Sequence, residues 1–277
     1  MLDIVDISFS SIWCVFALCS VLVTSWDQVF DIAFHGKLLN FRSALKKNQD
    51  SPNKWFSFRG LHFYVPKRWF CHLYVVGLLV TTLKFIYNYR VHRTLLNIDP
   101  QTSLMIISHT TRRLIESQYL TIYGDAKIHI AGYVCGLAHY TITPLTLIYS
   151  RPNLVHFSDL NLRIISLIIF ISANYIQYKS HLILYQMKMK NNSSKSAVYQ
   201  LPTKFLFKNI SCPHYTAEVL IYISFSILCY DRLSAMFLTI WVASNLAVVS
   251  DLHYCYYIKH YSNSIPSHYC RMIPGVW

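Results

Sequence analysis

Seven apolar runs, each of roughly the length that crosses a lipid bilayer as a helix, constrain this chain more than any other feature of it. They are Ile7–Val29, Trp69–Tyr87, Leu104–Tyr123, His129–Tyr149, Leu162–Met187, a run opening at Ser211 and reaching Tyr230, and Met236–Tyr257. A bilayer admits only backbones that satisfy their own hydrogen bonds, so such runs predict helices. With 54% hydrophobic and only 13% charged residues and a positive mean hydropathy, the expected fold is all-α: a transmembrane bundle of about seven helices forming a single domain over residues 1–277. Asp3 and Asp6 precede the first run where a removable signal peptide would carry basic residues, and no small-residue cleavage site follows; it is read as the first span.

The net charge of +13 does not mark a nucleic-acid binder, because the basic residues collect in the connections between runs. The loop before the second run carries Lys37, Arg42, Lys46, Lys47, Lys54, Arg59, Lys67 and Arg68, and the loop before the sixth carries Lys188, Lys190, Lys195, Lys204 and Lys208. With the N-terminus outside, sixteen Lys and Arg fall on the cytosolic side against five outside (Arg90, Arg93, Arg151, Arg163 and Arg232), as the positive-inside rule requires. The glycosylation triplets at Asn191, Asn192 and Asn209 then face the cytosol, where they stay unmodified. Eight scattered cysteines without a C-x-x-C pair read as small buried hydrophobes, not as a disulfide frame.

Polar residues inside the runs mark the chemistry, since ionisable groups in hydrocarbon must pair or face a cavity. Arg112, Arg113 and Glu116 lie in the third run, with Arg112 and Glu116 one helical turn apart. Gln177 and His181 share a face of the fifth run, with Asn174 and Tyr178 on the next stripe. His214, Glu218 and Tyr222 line one side of the sixth, where Pro213 suits the first helical position and Ser211 is placed to cap it. His253 and Tyr257 stand near the end of the seventh. The sided arrangement brings the ends of runs five and seven and the start of run six to the cytosolic face, so these residues are expected to converge there. Gly132-x-x-x-Gly136 in the fourth run is a close-packing step. Histidine spacings for an intramembrane metal are missing, so no metal is expected, and a Rossmann G-x-G-x-x-G is missing too.

The stretch Ser211-Cys212-Pro213-His214-Tyr215-Thr216-Ala217-Glu218-Val219-Leu220-Ile221-Tyr222 resembles the S-x-P-H-Y-x-x-E-x-x-x-Y signature of the steroid 5α-reductase family, in particular its polyprenol reductase branch. Val65-Pro66-Lys67-Arg68-Trp69-Phe70, Arg112-Arg113-Leu114 with Glu116, Gln177-Tyr178-Lys179-Ser180-His181 and the closing Ile273-Pro274-Gly275-Val276-Trp277 agree in order, and the family-like C-terminal region runs from about 105 to 277. The resemblance implies a multi-pass endoplasmic reticulum membrane enzyme that reduces the α-isoprene double bond of polyprenol with NADPH, towards dolichol for protein N-glycosylation. It places Arg112, Arg113, Gln177, His181, His214, Glu218, Tyr222, His253 and Tyr257 against NADPH, with the arginines at its phosphates. Thr110 stands where steroid-reducing members carry a tyrosine, which favours a long prenyl lipid over a 3-oxo-steroid. Because an isolated alkene has no atom to take up the negative charge that follows hydride attack, the prenal is a chemically better acceptor than the prenol. Glu116, Tyr119 and His109 are the candidate acids. Partners expected are the prenyl lipid and the bilayer, with no nucleic acid and no obligate protein. A prenylcysteine methyltransferase and a seven-span receptor or transporter are the competing readings.

Overall fold

The computed structural model describes residues 4–25, 63–92, 100–148, 157–193, 200–273 and 275. Among them are seven α-helices: α1 Ile4–Ser25, α2 Phe70–His92, α3 Pro100–Tyr119, α4 Ile130–Leu147, α5 Phe157–Ser193, α6 Pro213–Leu228 and α7 Leu233–Tyr261. Six basic residues of the first connection (Lys37, Arg42, Lys46, Lys47, Lys54, Arg59), together with Arg93, Arg151 and Lys195, lie outside the described residues, as do Pro274, Val276 and Trp277.

The helices follow the apolar runs and differ in how they meet lipid. α1, α2, α5 and α7 contain windows long and apolar enough to span a membrane. They turn Val15 and Leu18, Leu79 and Leu83, Ile164 and Ile168, and Met236 and Ile240 outwards, an apolar exterior that suits acyl chains. The 37 residues of α5 make a rod of about 55 Å, well beyond a hydrocarbon core of about 30 Å. That excess explains why its sequence turns polar at Asn174. α6 has 16 residues, about 24 Å, and α3 carries the two arginines and Glu116; these shorter or more polar helices depend on their neighbours for cover.

α5 lies along α6, α1 along α7, and α2 against both α3 and α4. Close approach of α2 and α4 rests on glycines from both sides. A Cβ on Gly136 would come within 2.9 Å of Leu73, and one on Gly77 within 2.9 Å of the Tyr140 ring. Of the G-x-x-x-G step, Gly136 thus receives Leu73 of α2, while Gly77 of α2 receives Tyr140 of α4. At the opposite end α1 and α7 are locked by Asp6, a buried carboxylate that accepts from the backbone amides of Leu233 (3.1 Å) and Ser234 (3.2 Å) and from the Ser234 hydroxyl. Asp6 thus caps α7 from another helix, satisfying amides that a helix start leaves open.

A short antiparallel ladder, absent from the sequence expectation, joins β1 Tyr64–Pro66 to β2 Lys127–His129, with Tyr64 opposite His129. Each strand leads into an even-numbered helix, so the ladder ties together the two connections that precede α2 and α4; the extended backbone before Pro66 favours it. Two further expectations change. Ser211 does not cap α6: Cys212 holds the N-cap position without a side-chain cap, and the Ser211 hydroxyl donates to the Arg271 carbonyl at 2.8 Å. The tail has taken over that hydroxyl, running beside 209–212 through Ser211 N to Cys270 O (2.9 Å) and Cys270 N to Asn209 O (2.8 Å), and receiving Thr216 Oγ1 at Met272 O (2.6 Å). The cysteines are all free, but only Cys212 and Cys229 are buried, while Cys19 and Cys255 face outwards.

Candidate active site

Helical spacing alone delivers the first layer of the site. Arg112, Arg113 and Glu116 project from the last turns of α3, and Asn174, Gln177 and His181 rise one turn apart on α5. His214 and Glu218 stand at the start of α6. Packing turns these faces onto one another. Glu116, only 2% exposed, accepts from Arg112 Nη1 at one oxygen and from Arg113 Nη1 (2.6 Å) at the other. Arg112 also donates through Nε to Asn174 Oδ1 (2.9 Å) and through Nη2 to Gln177 Oε1. Arg113 Nη2 donates to Tyr74 Oη at 2.9 Å. Gln177 then passes the polarity on: its oxygen faces Arg112, and its amide nitrogen donates to Glu218 Oε2 and, at 3.3 Å, to the His214 carbonyl.

Three histidines complete the layer. His181 Nδ1 sits 2.7 Å from Glu116 Oε2 and 2.8 Å from Arg113 Nη1, so with a proton it donates to the carboxylate and without one it accepts from the guanidinium. His109, 3% exposed, has Nδ1 3.3 Å from Arg112 Nη2. Arginine only donates, so this contact assigns the neutral ring's proton to Nε2, which lies 3.5 Å from Glu218 Oε1. His214 Nδ1 is buried without a hydrogen-bond partner, and His109 Nε2 has only the long contact to Glu218. Buried polar atoms are rarely left so, and the pair marks a place for a polar ligand.

His253 and Tyr257 join this layer less directly. Aromatic contacts run from His181 to His214 (centroids 5.5 Å apart), to Tyr215 (4.2 Å), to His253 (6.1 Å) and to Tyr257 (6.5 Å). Tyr119 is not brought in: it is 75% exposed at the end of α3. Tyr222, one turn beyond Glu218, looks away from the cluster into a narrow cavity lined by Gly77, Ile106, His109, Thr110, Tyr140, Thr143, Pro144, Tyr222 and Phe225. Sequence reasoning missed Tyr74, an ordinary aromatic in an aromatic-rich run, and gave no role to Tyr215 although it stands in the signature stretch. It also missed His139, a lone polar group on a packing helix. A histidine amid apolar residues three positions after Gly136 was the available signal.

The described helices thus form a membrane bundle with a buried Arg–Glu–Gln–His cluster at one end. The pattern of the family described as 3-oxo-5-alpha-steroid 4-dehydrogenase matches residues 106–277. The chain belongs to the steroid 5α-reductase family and is a multi-pass membrane reductase acting on carbon–carbon double bonds. Its curated relatives are more particular. Polyprenal reductase of Danio rerio is 23% identical over 315 aligned residues, covering 100% of this chain and 99% of that protein. The protein of the same name from Saccharomyces cerevisiae is 30% identical over 202 residues (72% and 69%), and that of Caenorhabditis elegans 27% over 229 (70% and 74%).

Proposed function

We propose that this protein reduces the α-isoprene double bond of a polyprenal with NADPH, in the endoplasmic reticulum membrane, on the route to dolichol for protein N-glycosylation. The observation that carries the reading is the adjacency of two unlike environments, the charged cluster at one end of the bundle and the largely apolar cavity beyond it, with His109 belonging to both. A water-soluble cofactor reaches the first, and a lipid reaches the second. The orphaned His214 Nδ1 and the weakly held His109 Nε2 fit a ligand rich in donors and acceptors, which is what a dinucleotide brings. When bound, the reduced nicotinamide supplies a hydride.

The chain's own residues then have separable tasks. Gln177, His181, His214 and Glu218 bind and orient the cofactor, with His253 and Tyr257 extending the cradle through Tyr215. Arg112 and Arg113 have spent donors on Glu116, Asn174, Gln177 and Tyr74, so phosphates draw on their remaining N–H groups or compete with Glu116 for them. The aldehyde is the substrate rather than the alcohol, because the carbonyl oxygen accepts the charge that develops when the β carbon is reduced. Polyprenal in the relatives' names supports the same choice. The steroid alternative is disfavoured at Thr110, whose hydroxyl donates to the Ile106 carbonyl at 2.7 Å within its own helix.

The test is product analysis by mass spectrometry after incubating the purified protein with NADPH and, separately, polyprenal, polyprenol and a 3-oxo-4-ene steroid. Reduction of polyprenal alone is expected. Turnover of the steroid, or of the alcohol without prior oxidation, overturns the reading. Glu218→Gln should weaken NADPH binding roughly 10- to 100-fold, the cost of a lost charged hydrogen bond. Unchanged cofactor affinity would remove Glu218 from the cradle.

A further inference from the structure

The cavity beyond the cluster contains a hydrogen-bonded relay that the cofactor reading leaves unused. Trp241 Nε1 lies 3.2 Å from His139 Nδ1, and His139 Nε2 lies 2.7 Å from Tyr222 Oη. An indole N–H only donates, so His139 Nδ1 is the acceptor and, in the neutral ring, Nε2 carries the proton. That proton goes to the Tyr222 oxygen. With its oxygen already accepting from His139, the phenol directs its own proton away from the relay, towards Thr143 and the cavity. Tyr222 and His139 belong to different helices, α6 and α4, and Trp241 to a third, α7; packing of the whole bundle holds the relay.

What the phenol faces is the cavity. Thr143 stands beside Tyr222 there as a hydrogen-bonding neighbour of the phenol, in poor geometry. His109 Nε2, with only a long 3.5 Å contact to Glu218 Oε1, closes the side towards Glu218. The remaining wall is apolar: Gly77, Ile106, Pro144 and Phe225. As it stands the space admits a group of about the size of a water molecule. A cavity with three hydroxyl or N–H groups converging inside an apolar wall matches one polar atom on a hydrocarbon, such as a carbonyl oxygen.

We propose that Tyr222, held by His139 and Trp241, binds the carbonyl oxygen of the prenal in this cavity and protonates it, a role distinct from cofactor binding and resting on the prenal reading above. As a hydride from the reduced nicotinamide arrives at the β carbon, the α,β π pair shifts to form a new α-carbon to carbonyl-carbon double bond. The carbonyl π pair moves to oxygen, which takes the Tyr222 proton. The resulting enol tautomerises to the saturated aldehyde, and the phenolate regains a proton from solvent. His139 is a positioning residue: its Nε2–H stabilises the phenolate while that charge lasts. Donors chained in one direction polarise one another, so Trp241 and His139 together sharpen Tyr222 as an acid. Neither Glu116, tied to two guanidiniums, nor Tyr119, on the outer surface, is needed as the acid.

Tyr222→Phe in the full-length protein, in lipid nanodiscs, is the primary test. It should lower kcat about 100- to 10,000-fold, the range of a general acid, with NADP+ affinity, followed by tryptophan quenching, within about twofold of wild type. Independently of turnover, a carbonyl-13C-labelled prenal bound without reduced cofactor should show an infrared carbonyl stretch shifted to lower frequency in wild type and not in Tyr222→Phe. His139→Leu should lower kcat with little change in NADPH KM, and His139→Gln, which keeps an N–H donor, should recover part of it. If Tyr222→Phe retains kcat, or loses NADP+ binding instead, the assignment is wrong; if that variant fails to fold, an equal effect of His139→Leu and His139→Gln overturns it. A wild-type protein that reduces no prenal at all defeats the functional reading, a result distinguishable from either.

Discussion

Glu116 holds the cluster's charges in balance. One carboxylate meets both arginines and His181, and removing a single partner from a buried ionic group costs about 3–5 kcal/mol because the rest stay desolvated. Glu116→Gln should therefore lower the melting temperature sharply. Cofactor phosphates bring negative charge to the same guanidiniums, so NADP+ should raise the melting temperature of Glu116→Gln by more than that of wild type; equal shifts would place the phosphates elsewhere. Much of this cluster was legible from spacing, since i,i+4 residues share a helix face: Arg112 with Glu116, Gln177 with His181, His214 with Glu218. His139 was not legible. Its hydrogen-bond partners lie 83 and 102 residues away in sequence, and nothing local distinguishes a relay histidine from one that packs. Tyr119, named among the candidate acids for its expected place near the mouth of the cavity, lies with its side chain outside the bundle.

Element by element, the interface between α2 and α4 links packing to the cavity. The Tyr140 ring is the side chain that a Cβ on Gly77 would meet first, and both residues line the cavity. Gly77→Ala places a methyl 2.9 Å from Tyr140 Cδ1. A ring pressed on by Tyr74 and His139, each in edge contact at 5.2 Å, cannot move without narrowing the space beside it. The substitution should cost about 1–3 kcal/mol in stability and raise the KM for the prenyl lipid while leaving that for NADPH near wild type; steady-state kinetics with each substrate varied in turn checks this. Asp6 carries the same lesson. Its sequence position argued only against a signal peptide, yet its carboxylate terminates a helix more than two hundred residues away.

For the molecule as a whole, sidedness is the property with the widest consequences. Even-numbered helices begin, and odd-numbered helices from α3 onward end, at the end that holds the cluster, and the 64–66/127–129 ladder closes over that same end. Asn209 is on this side, its carbonyl bonded to Cys270 N and its side chain 3.2 Å from His268 Nε2. Glycosidase treatment of the protein from eukaryotic membranes should leave its mass unchanged, whereas a glycan on Asn209 would invert the topology and put the cluster out of reach of cytosolic NADPH.

The sequence by itself determined the helices and their order, and it predicts their orientation, because hydrophobicity and the placement of basic residues are local sums that each segment carries alone. It also determined which residues share a face of one helix, through the fixed 100° step of the α-helix. The tertiary structure decided which faces meet. The rotation of each helix about its axis is set by contacts such as Gly77 on Tyr140 and Gly136 on Leu73, between residues far apart in the chain. Those rotations joined Gln177 to Glu218 and turned Tyr222 away from the cluster towards His139, and neither outcome is contained in any one segment.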